Sequence, residues 1–378
     1  MRFALVRQHY DPDGAVERIT ERALEALLER NVAVSLYTRS WPQIRLQLIE
    51  PVICDPFHAG AIWRDWGFAR AACGLIRRSN PTLVESHERL RCCDVYRAGD
   101  GVHAVRLEER LRHATAVERI ALRASLRTRY LLHIERRLYR SPWLRAVICK
   151  SPMVRDELRT RFAIPAEKLP VIYNPVDSEL FHPGVRMDGA TIRGIHGISP
   201  DAIVHLIVAR DFTQCGVATA IDALARLPPP SHLLVVGDDS DVERYRKRAH
   251  GLGIADRVTF ACRKPDPRPY YGAADTFVLP ALYDPSPDTA IEAMACGLPV
   301  VTSTKSGAAS LLHEHDGGLV CASDDVEEFA AHLRALQDTD LRARLSANAR
   351  RAILPLSPSA ITRQLVLLYR DLLAATAL

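Results

Sequence analysis

Two acidic residues in the last third of the chain could hold the two ends of an extended, phosphorylated ligand. Asp284 follows a short apolar run, and Glu292 lies inside a helical pattern that begins near Asp288 and ends at Gly297. The free backbone N–H groups at the start of that helix, around Asp288 and Thr289, suit a diphosphate. The alternative is that Asp284 forms a turn and Glu292 is an ordinary helical residue.

Two further loops carry candidate ligand-binding residues. Gly14 and Ala15 follow the first predicted strand, where glycine permits close approach of the backbone to a ligand. Asp100 lies between two glycines, which would let its carboxylate project. Either segment could instead be a plain turn. His87 and His103 flank the Asp100 loop, and each either binds a ligand or hydrogen-bonds within the fold.

The elements that must position these residues belong to an α/β protein. Short apolar runs alternate with amphipathic helical patterns, as in parallel sheets covered by helices on both faces. Strands are predicted at 3–6, 32–37, 82–85, 146–149, 203–208, 232–236, 257–260, 276–279 and 299–302, with a long helical region from 105 to 140.

The length of 378 residues is too great for one hydrophobic core and predicts two doubly wound, Rossmann-like domains. We predict an N-terminal domain at 1–175, a Pro- and Gly-rich linker at 176–200, a second domain at 201–356 and a final helix at 357–378 that crosses back to the first domain. The carboxyl ends of both sheets would face one another across a cleft. The fold alone is equally compatible with an epimerase, a phosphorylase or a binding protein.

Nearly the whole chain resembles glycosyltransferase family 4, and within it the branch of lipopolysaccharide-core glucosyltransferases. The segment 283–297 is similar to the acid-x7-acid signature of that family, with Asp284 where Glu is commoner and with Glu292 matching. The other matching landmarks lie at 4–18, 37–41, 93–103 and 304–309. The resemblance implies a GT-B fold and a retaining transfer. It also implies that Glu292 binds the nucleotide ribose, that Asp284 meets the donor sugar, and that Asp100 lies near the reacting centre.

The largest departure from the family lies in the loop that ends at Gly216. The family carries an Arg-Lys pair that neutralises the departing diphosphate, whereas this chain has Gln214 and Cys215. Such contacts are each worth about 3 kcal/mol, so their loss would weaken catalysis. Arg210 either turns toward the phosphates in compensation or is a solvated cation. Two further candidate cations follow in a later loop, Arg263 and Lys264.

The resemblance implies transfer of a hexose from a nucleotide-diphosphate sugar, similar to UDP-glucose, to a cell-envelope saccharide or glycolipid such as a lipopolysaccharide core. The alternative is a catalytically weakened homologue that binds a saccharide or a partner enzyme without efficient turnover. No cofactor, metal or nucleic-acid partner is predicted. Two Asp-x-Asp pairs, at 11/13 and 239/241, are interpreted as turns.

Composition and charge bear on the cellular compartment in which the protein is located. Nine scattered cysteines without metal-ligand spacing favour a reducing compartment, where thiols stay unpaired. The sequence shows neither a signal pattern nor an apolar segment long enough to span a bilayer, which predicts a cytoplasmic protein. The basic region 119–140, with interleaved leucines, either lies on the anionic inner face of the cytoplasmic membrane or packs its leucines on the core.

Overall fold

The computed structural model describes residues 2–9, 20–23, 25, 32–40, 49–262 and 266–375. The chain divides into two compact units, one formed by Met1–Pro175 together with Pro358–Leu378 and the other by Val176–Ser357. Each unit contains one parallel six-stranded sheet. The prediction of an α/β protein with two doubly wound domains is therefore confirmed.

The first unit is built on the strand order β3-β2-β1-β4-β5-β6, in which the chain reverses direction across the sheet between β1 and β4. Ligands of doubly wound sheets bind at the carboxyl ends of the strands near such a reversal. The strands are β1 (Arg2–Val6), β2 (Ala33–Thr38), β3 (Ile49–Ile53), β4 (Leu83–Ser86), β5 (Val95–Ala98) and β6 (Ala146–Cys149). The helices with described bounds are α1 (Gly60–Ser79), α2 (His103–His113), α3 (Ala116–Ala124), α4 (Leu126–Tyr139) and α5 (Pro152–Phe162).

The second unit repeats this topology with the order β12-β11-β10-β7-β8-β9, and its reversal lies between β7 and β10. Its strands are β7 (Ile203–Val208), β8 (Ser231–Val236), β9 (Val258–Ala261), β10 (Thr276–Leu279), β11 (Val300–Ser303) and β12 (Gly318–Cys321). Its helices are α6 (Gly189–Ile195), α7 (Val217–Leu224), α8 (Val242–Gly251), α9 (Arg268–Ala273), α10 (Asp288–Ala295), α11 (Ala309–His315), α12 (Val326–Ala335) and α13 (Thr339–Ala352). The last helix, α14 (Pro358–Ala374), belongs to the first unit.

Three strands were not predicted from the sequence, and two of them, β3 and β5, lack a continuous apolar run. β3 contains Glu50 and Pro51 and lies at the edge of its sheet, where a proline is tolerated. β5 contains Arg97, although all four of its residues are buried. β12 is a short edge strand that begins with Gly318. The predicted apolar strands are found within one residue of their predicted bounds at each end.

The predicted helical region at 105–140 is confirmed, and it consists of three helices, α2, α3 and α4. The first ends at His113. Thr115 caps the second, since its side chain accepts from the backbone N–H of Glu118 while the Glu118 carboxylate accepts from the backbone N–H of Thr115 at 2.8 Å. Ser125 caps the third helix in a similar way, by accepting from the N–H of Thr128. Ser and Thr favour such positions because their hydroxyls replace the missing backbone acceptors.

The segment predicted as a linker, 176–200, is packed onto the second unit. It contains a 3-10 helix at Pro183–Asp188 and then α6. A methyl group at Gly189 would come within 2.3 Å of the carbonyl oxygen of Gly272 in α9, so only glycine allows this approach. Gly189 in this segment therefore serves close packing.

A buried polar network joins α14 to the sheet of the first unit. Arg97 Nε donates to Glu85 Oε1 at 2.9 Å, and the hydroxyl of Tyr369 donates to Glu85 Oε2. Burial alone would raise the pKa of Glu85, but Arg97, helped by the nearby His87 and by the hydrogen bond from Tyr369, lowers it to about 2. The network thus holds an ionised carboxylate inside the domain.

One pair of cysteines departs from the expectation of unpaired thiols. Cys73 in α1 and Cys92 form a disulfide across 19 residues, and the other seven cysteines are free. Nothing in the spacing of the nine cysteines indicated this pair, because the contact depends on how α1 packs beside the segment before β5.

Candidate functional site

Asp284 lies in the segment between β10 and α10, and its backbone is held by the loop after β11. The N–H of Asp284 donates to the carbonyl of Lys305 at 2.8 Å, and the N–H of Gly307 donates to the carbonyl of Asp284 at 2.7 Å. These bonds form an isolated parallel bridge between Asp284 and Ser306. The acid is therefore placed at the carboxyl ends of β10 and β11, at the edge where a doubly wound sheet binds its ligands.

The carboxylate of Asp284 is partly buried, and few donors compensate for the lost water. Burial, with a smaller contribution from the charge of Asp288, raises the pKa of Asp284 to about 7. The hydroxyl of Ser306 donates to Asp284 Oδ2 at 3.3 Å, which lowers the pKa only in part. Asp284 therefore titrates near neutral pH.

Glu292 lies in α10 and is oriented by a buried tyrosine. The hydroxyl of Tyr271, whose ring is fully buried, donates to Glu292 Oε2 at 2.7 Å. Burial raises the pKa of Glu292 to about 7, the bond from Tyr271 opposes this rise, Asp288 adds to it, and Arg210 opposes it. The role of Tyr271 could not be predicted from the sequence, because a tyrosine 21 positions away carries no local signal of this contact.

The raised pKa values of Asp284 and Glu292 predict that the contribution of these two acids to stability falls as the pH rises from about 4 to 7. In this window the folded protein keeps protons that Asp284 and Glu292 release on unfolding, so each rise in pH favours the unfolded state. An Asp284→Asn variant should gain stability relative to wild type as the pH rises through this window, because asparagine has no proton to lose. Thermal unfolding midpoints at pH 5, 6, 7 and 8 test this, with the exposed Asp340→Asn as control. Parallel pH profiles of wild type and Asp284→Asn would contradict the prediction.

The loop between β7 and α7 runs beside the Asp284 segment. Gly216 has a φ of +72°, and a methyl group there would come within 1.9 Å of the carbonyl oxygen of Pro280. The side chain of Gln214 donates from Nε2 to the carbonyl of Tyr283 at 2.7 Å. Arg210 is exposed in the same loop, and its charge acts on Glu292. The structure therefore brings Arg210, Gln214 and the two acids together.

Three other predicted residues of the second unit lie in the same place. Cys215 is mostly buried, and burial, with the nearby charge of Asp284, raises the pKa of its thiol to about 12. The sulfur is therefore a neutral thiol and cannot replace a cation. Asp288 is exposed at the first position of α10, with its carboxylate 3.1 Å from the hydroxyl of Ser286. Thr289 follows Asp288 in the first turn and is partly exposed.

The Asp100 carboxylate projects from the first unit, as predicted for a residue between glycines. Its side chain is 70% exposed and lies 3.7 Å from the guanidinium of Arg89. Next to it, the backbone N–H groups of His103 and Ala104 donate to the carboxylate of Glu135, at 2.5 and 3.1 Å. Neither Arg89 nor Glu135 could be predicted from the sequence, because the contacts join residues 11 and more than 30 positions apart. They hold the loop and the start of α2 together.

His87 and His103 are both neutral near pH 7, because burial lowers the pKa of each to about 4. The His87 side chain is 10% exposed and is engaged within the domain, by Arg7 at 2.7 Å and by Glu85 at 3.4 Å. His103 is partly exposed beside the Asp100 loop. The geometry thus leaves His103 the more accessible of the two.

Four predicted site residues, Gly14, Ala15, Arg263 and Lys264, lie outside the described residues, as do Asp11 and Asp13. Asp239, of the other Asp-x-Asp pair, uses its carboxylate to accept from the backbone N–H groups of Phe212 and Asp241, each at 2.8 Å. Across the described ranges, no group of three or more His, Cys, Asp or Glu residues is placed to hold a metal ion. Among the helices that the structure describes, none has the length and apolar character needed to cross a bilayer.

Two doubly wound units, each with one parallel six-stranded sheet, are the architecture of GT-B glycosyltransferases. The family model described as "Glycosyltransferase Family 4" matches residues 16–180. The model described as "Glycosyl transferases group 1" matches residues 188–352. The chain therefore belongs to the glycosyltransferases, with a family 4 domain followed by a group 1 domain.

Individual relatives agree with this assignment. The lipopolysaccharide glucosyltransferase WaaG of Escherichia coli (strain K12) is 26% identical over 90% of this chain and 91% of its own length. The lipopolysaccharide core biosynthesis glycosyltransferase LpsE of Rhizobium meliloti (strain 1021) is 33% identical, but this match spans only 39% of the chain and 43% of LpsE.

Solved structures show the same fold. A crystal structure of WaaG matches with a TM-score of 0.76 and 22% identity, over 96% of this chain and 98% of that one. HepE of Anabaena, solved in complex with UDP-glucose, matches with a TM-score of 0.72 and 19% identity, over 98% of this chain and 100% of its own. At such identities the likeness concerns the fold alone.

Proposed function

We propose that this protein transfers a hexosyl group, with retention, from a nucleoside-diphosphate sugar to a cell-envelope saccharide of the lipopolysaccharide-core type. The observation that carries the proposal is the pair of Asp284 and Glu292 at the carboxyl edge of the second sheet, on either side of the start of α10. The names of WaaG and LpsE support the acceptor class, and the HepE complex supports a UDP-linked donor.

In the proposed reaction, Glu292 accepts hydrogen bonds from the ribose hydroxyls and Asp284 from the donor sugar. The start of α10 and Arg210 stabilise the diphosphate as negative charge develops on it. The bond between the anomeric carbon and the phosphate oxygen breaks. The acceptor hydroxyl forms its bond on the same face of the sugar, and its proton passes to the departing diphosphate. No metal is needed in this scheme.

Titration calorimetry against UDP, GDP, ADP and their hexose conjugates tests the donor, and transfer to purified core oligosaccharide tests the reaction. We expect micromolar to millimolar binding of one nucleotide class and transfer of its sugar. Binding without transfer would favour the weakened homologue, whose supporting feature is that Gln214 and Cys215 offer the diphosphate no charge. Absence of any nucleotide binding would overturn the proposal.

We also propose that α3 and the start of α4 contact an anionic membrane surface at the cytoplasmic face. None of the residues of α3 is buried, and three apolar side chains are at least 70% exposed, those of Val117, Ile120 and Leu126. Exposed arginines at positions 123, 127 and 129 lie beside them. An apolar stripe with adjacent cations suits the headgroup region of anionic lipid.

Flotation with phosphatidylglycerol-containing vesicles tests the membrane contact. Wild type should float with anionic vesicles and remain in solution with neutral ones, and an Ile120→Glu variant should lose most of its binding. Leu367→Glu, at an exposed apolar residue of α14, is the matched control and should float like wild type. Equal flotation of the two variants would contradict the contact.

A further inference from the structure

Gln214 occupies a position where the family places a cation. Its side chain, however, contacts another part of the protein, and a residue that only bound phosphate would not make this contact. Its Nε2 donates to the main-chain carbonyl of Tyr283 at 2.7 Å. We infer that Gln214 is a positioning residue, which fixes the peptide next to Asp284 and thereby sets the sugar-binding carboxylate. The inference rests on the donor-sugar role proposed for Asp284.

Three hydrogen bonds place Gln214 between two loops. Its own N–H donates to Asp211 Oδ1 at 2.8 Å, which fixes it within the loop after β7. Its carbonyl accepts from the N–H of Leu282 at 2.9 Å, and its side-chain amide donates to the carbonyl of Tyr283. The last two bonds reach the two residues directly before Asp284. Only a side chain that carries a hydrogen-bond donor at this distance from the backbone can make the bond to the carbonyl of Tyr283.

The opposite side of Asp284 is held by the loop after β11, through Lys305, Ser306 and Gly307. The side-chain bond of Gln214 therefore braces the segment from one loop while Ser306 and its neighbours brace it from another. Glu292 depends on neither brace, because it lies in α10 and is oriented by Tyr271. Loss of the Gln214 amide should consequently disturb the sugar contact and spare the ribose contact.

A Gln214→Met variant separates positioning from phosphate binding, because methionine keeps the length and volume but has no N–H donor. We expect its affinity for the nucleoside diphosphate to stay within twofold of wild type. Its affinity for the matching nucleotide sugar should fall about three- to tenfold, which is the loss of one neutral hydrogen bond. Equal losses for both ligands would make Gln214 a phosphate ligand, and unchanged affinity for both would remove any role. Either result overturns the inference.

Hydrogen exchange of the ligand-free protein tests the same contact without reference to any donor. Peptides that cover residues 280–285 should exchange faster in Gln214→Met than in wild type. Gln337→Met is the matched control, because its amide makes only a 3.4 Å contact, with Ser231 at the start of β8. Unchanged exchange at 280–285 would overturn the positioning role even if the donor is bound. Faster exchange in a protein that binds no nucleotide would uphold the contact and refute only the proposed function.

Discussion

An Arg97→Met variant should lose about 3–5 kcal/mol of folding free energy, because it leaves the carboxylate of Glu85 buried without its cation. Glu85 is fully buried and Arg97 is 4% exposed, so water cannot take the place of the guanidinium. Methionine fills much of the arginine volume, and the loss should therefore come mainly from the unpaired charge. Urea unfolding followed by circular dichroism at pH 7 measures it.

A second substitution identifies the cause of this loss. Glu85→Gln combined with Arg97→Met removes the charge along with its partner and should be more stable than Arg97→Met alone. Tyr369→Phe removes only the hydroxyl that donates to the ionised Glu85, and it should cost about 1.5–3 kcal/mol. A double variant no more stable than Arg97→Met would show that packing, and not the buried charge, accounts for the effect.

Acid unfolding gives an independent measure of the same pair. Since the pKa of Glu85 is lowered to about 2 in the folded protein, its contribution to stability is complete above the ordinary carboxyl pKa of about 4.5. That contribution is lost as the pH falls from about 4.5 to 2, because the unfolded chain takes up the proton first. Arg97→Met should flatten this part of the pH profile.

The network around Arg97 also shows why the sequence predicted most strands and missed others. The β7 and β10 segments are apolar runs, and parallel strands buried on both faces require such runs, so local pattern sufficed. β5 carries a charged residue that becomes acceptable only beside Glu85, 12 positions earlier, and Tyr369, 272 positions later. A local pattern carries no information about partners at that separation.

The residues of the candidate site likewise fall into those that a local pattern predicts and those that it does not. Asp284 and Glu292 stand in one strand-loop-helix segment, so their spacing and the helix start between them can be recognised in the sequence. The residues that orient them arrive from elsewhere, namely Tyr271 from α9 and Gln214 from the loop after β7. Gln214 was predicted to face the donor phosphates, and its contact with Tyr283 depends on how two loops meet. The sequence therefore located the acids but not their supports.

Glu292→Gln should weaken binding of the nucleoside diphosphate about 100- to 1,000-fold at pH 8. In the proposed site the ionised carboxylate accepts two hydrogen bonds from ribose hydroxyls, and bonds to a charged group are each worth about 1.5–3 kcal/mol. Glutamine keeps the shape but loses the charge and one acceptor. Calorimetric titration with the nucleotide identified by the panel measures the loss. The exposed Glu314→Gln, in α11 of the same unit, should bind like wild type.

The dependence of this loss on pH distinguishes a ribose contact from a structural role. Because the pKa of Glu292 is raised to about 7, wild type carries a mostly protonated side chain at pH 6 and a mostly ionised one at pH 8. The gap between wild type and Glu292→Gln should therefore narrow by up to about tenfold at pH 6. A gap that stays constant from pH 6 to 8 would mean that the glutamine variant acts by distorting α10. It would also show that the charge of Glu292 does not contribute to donor binding.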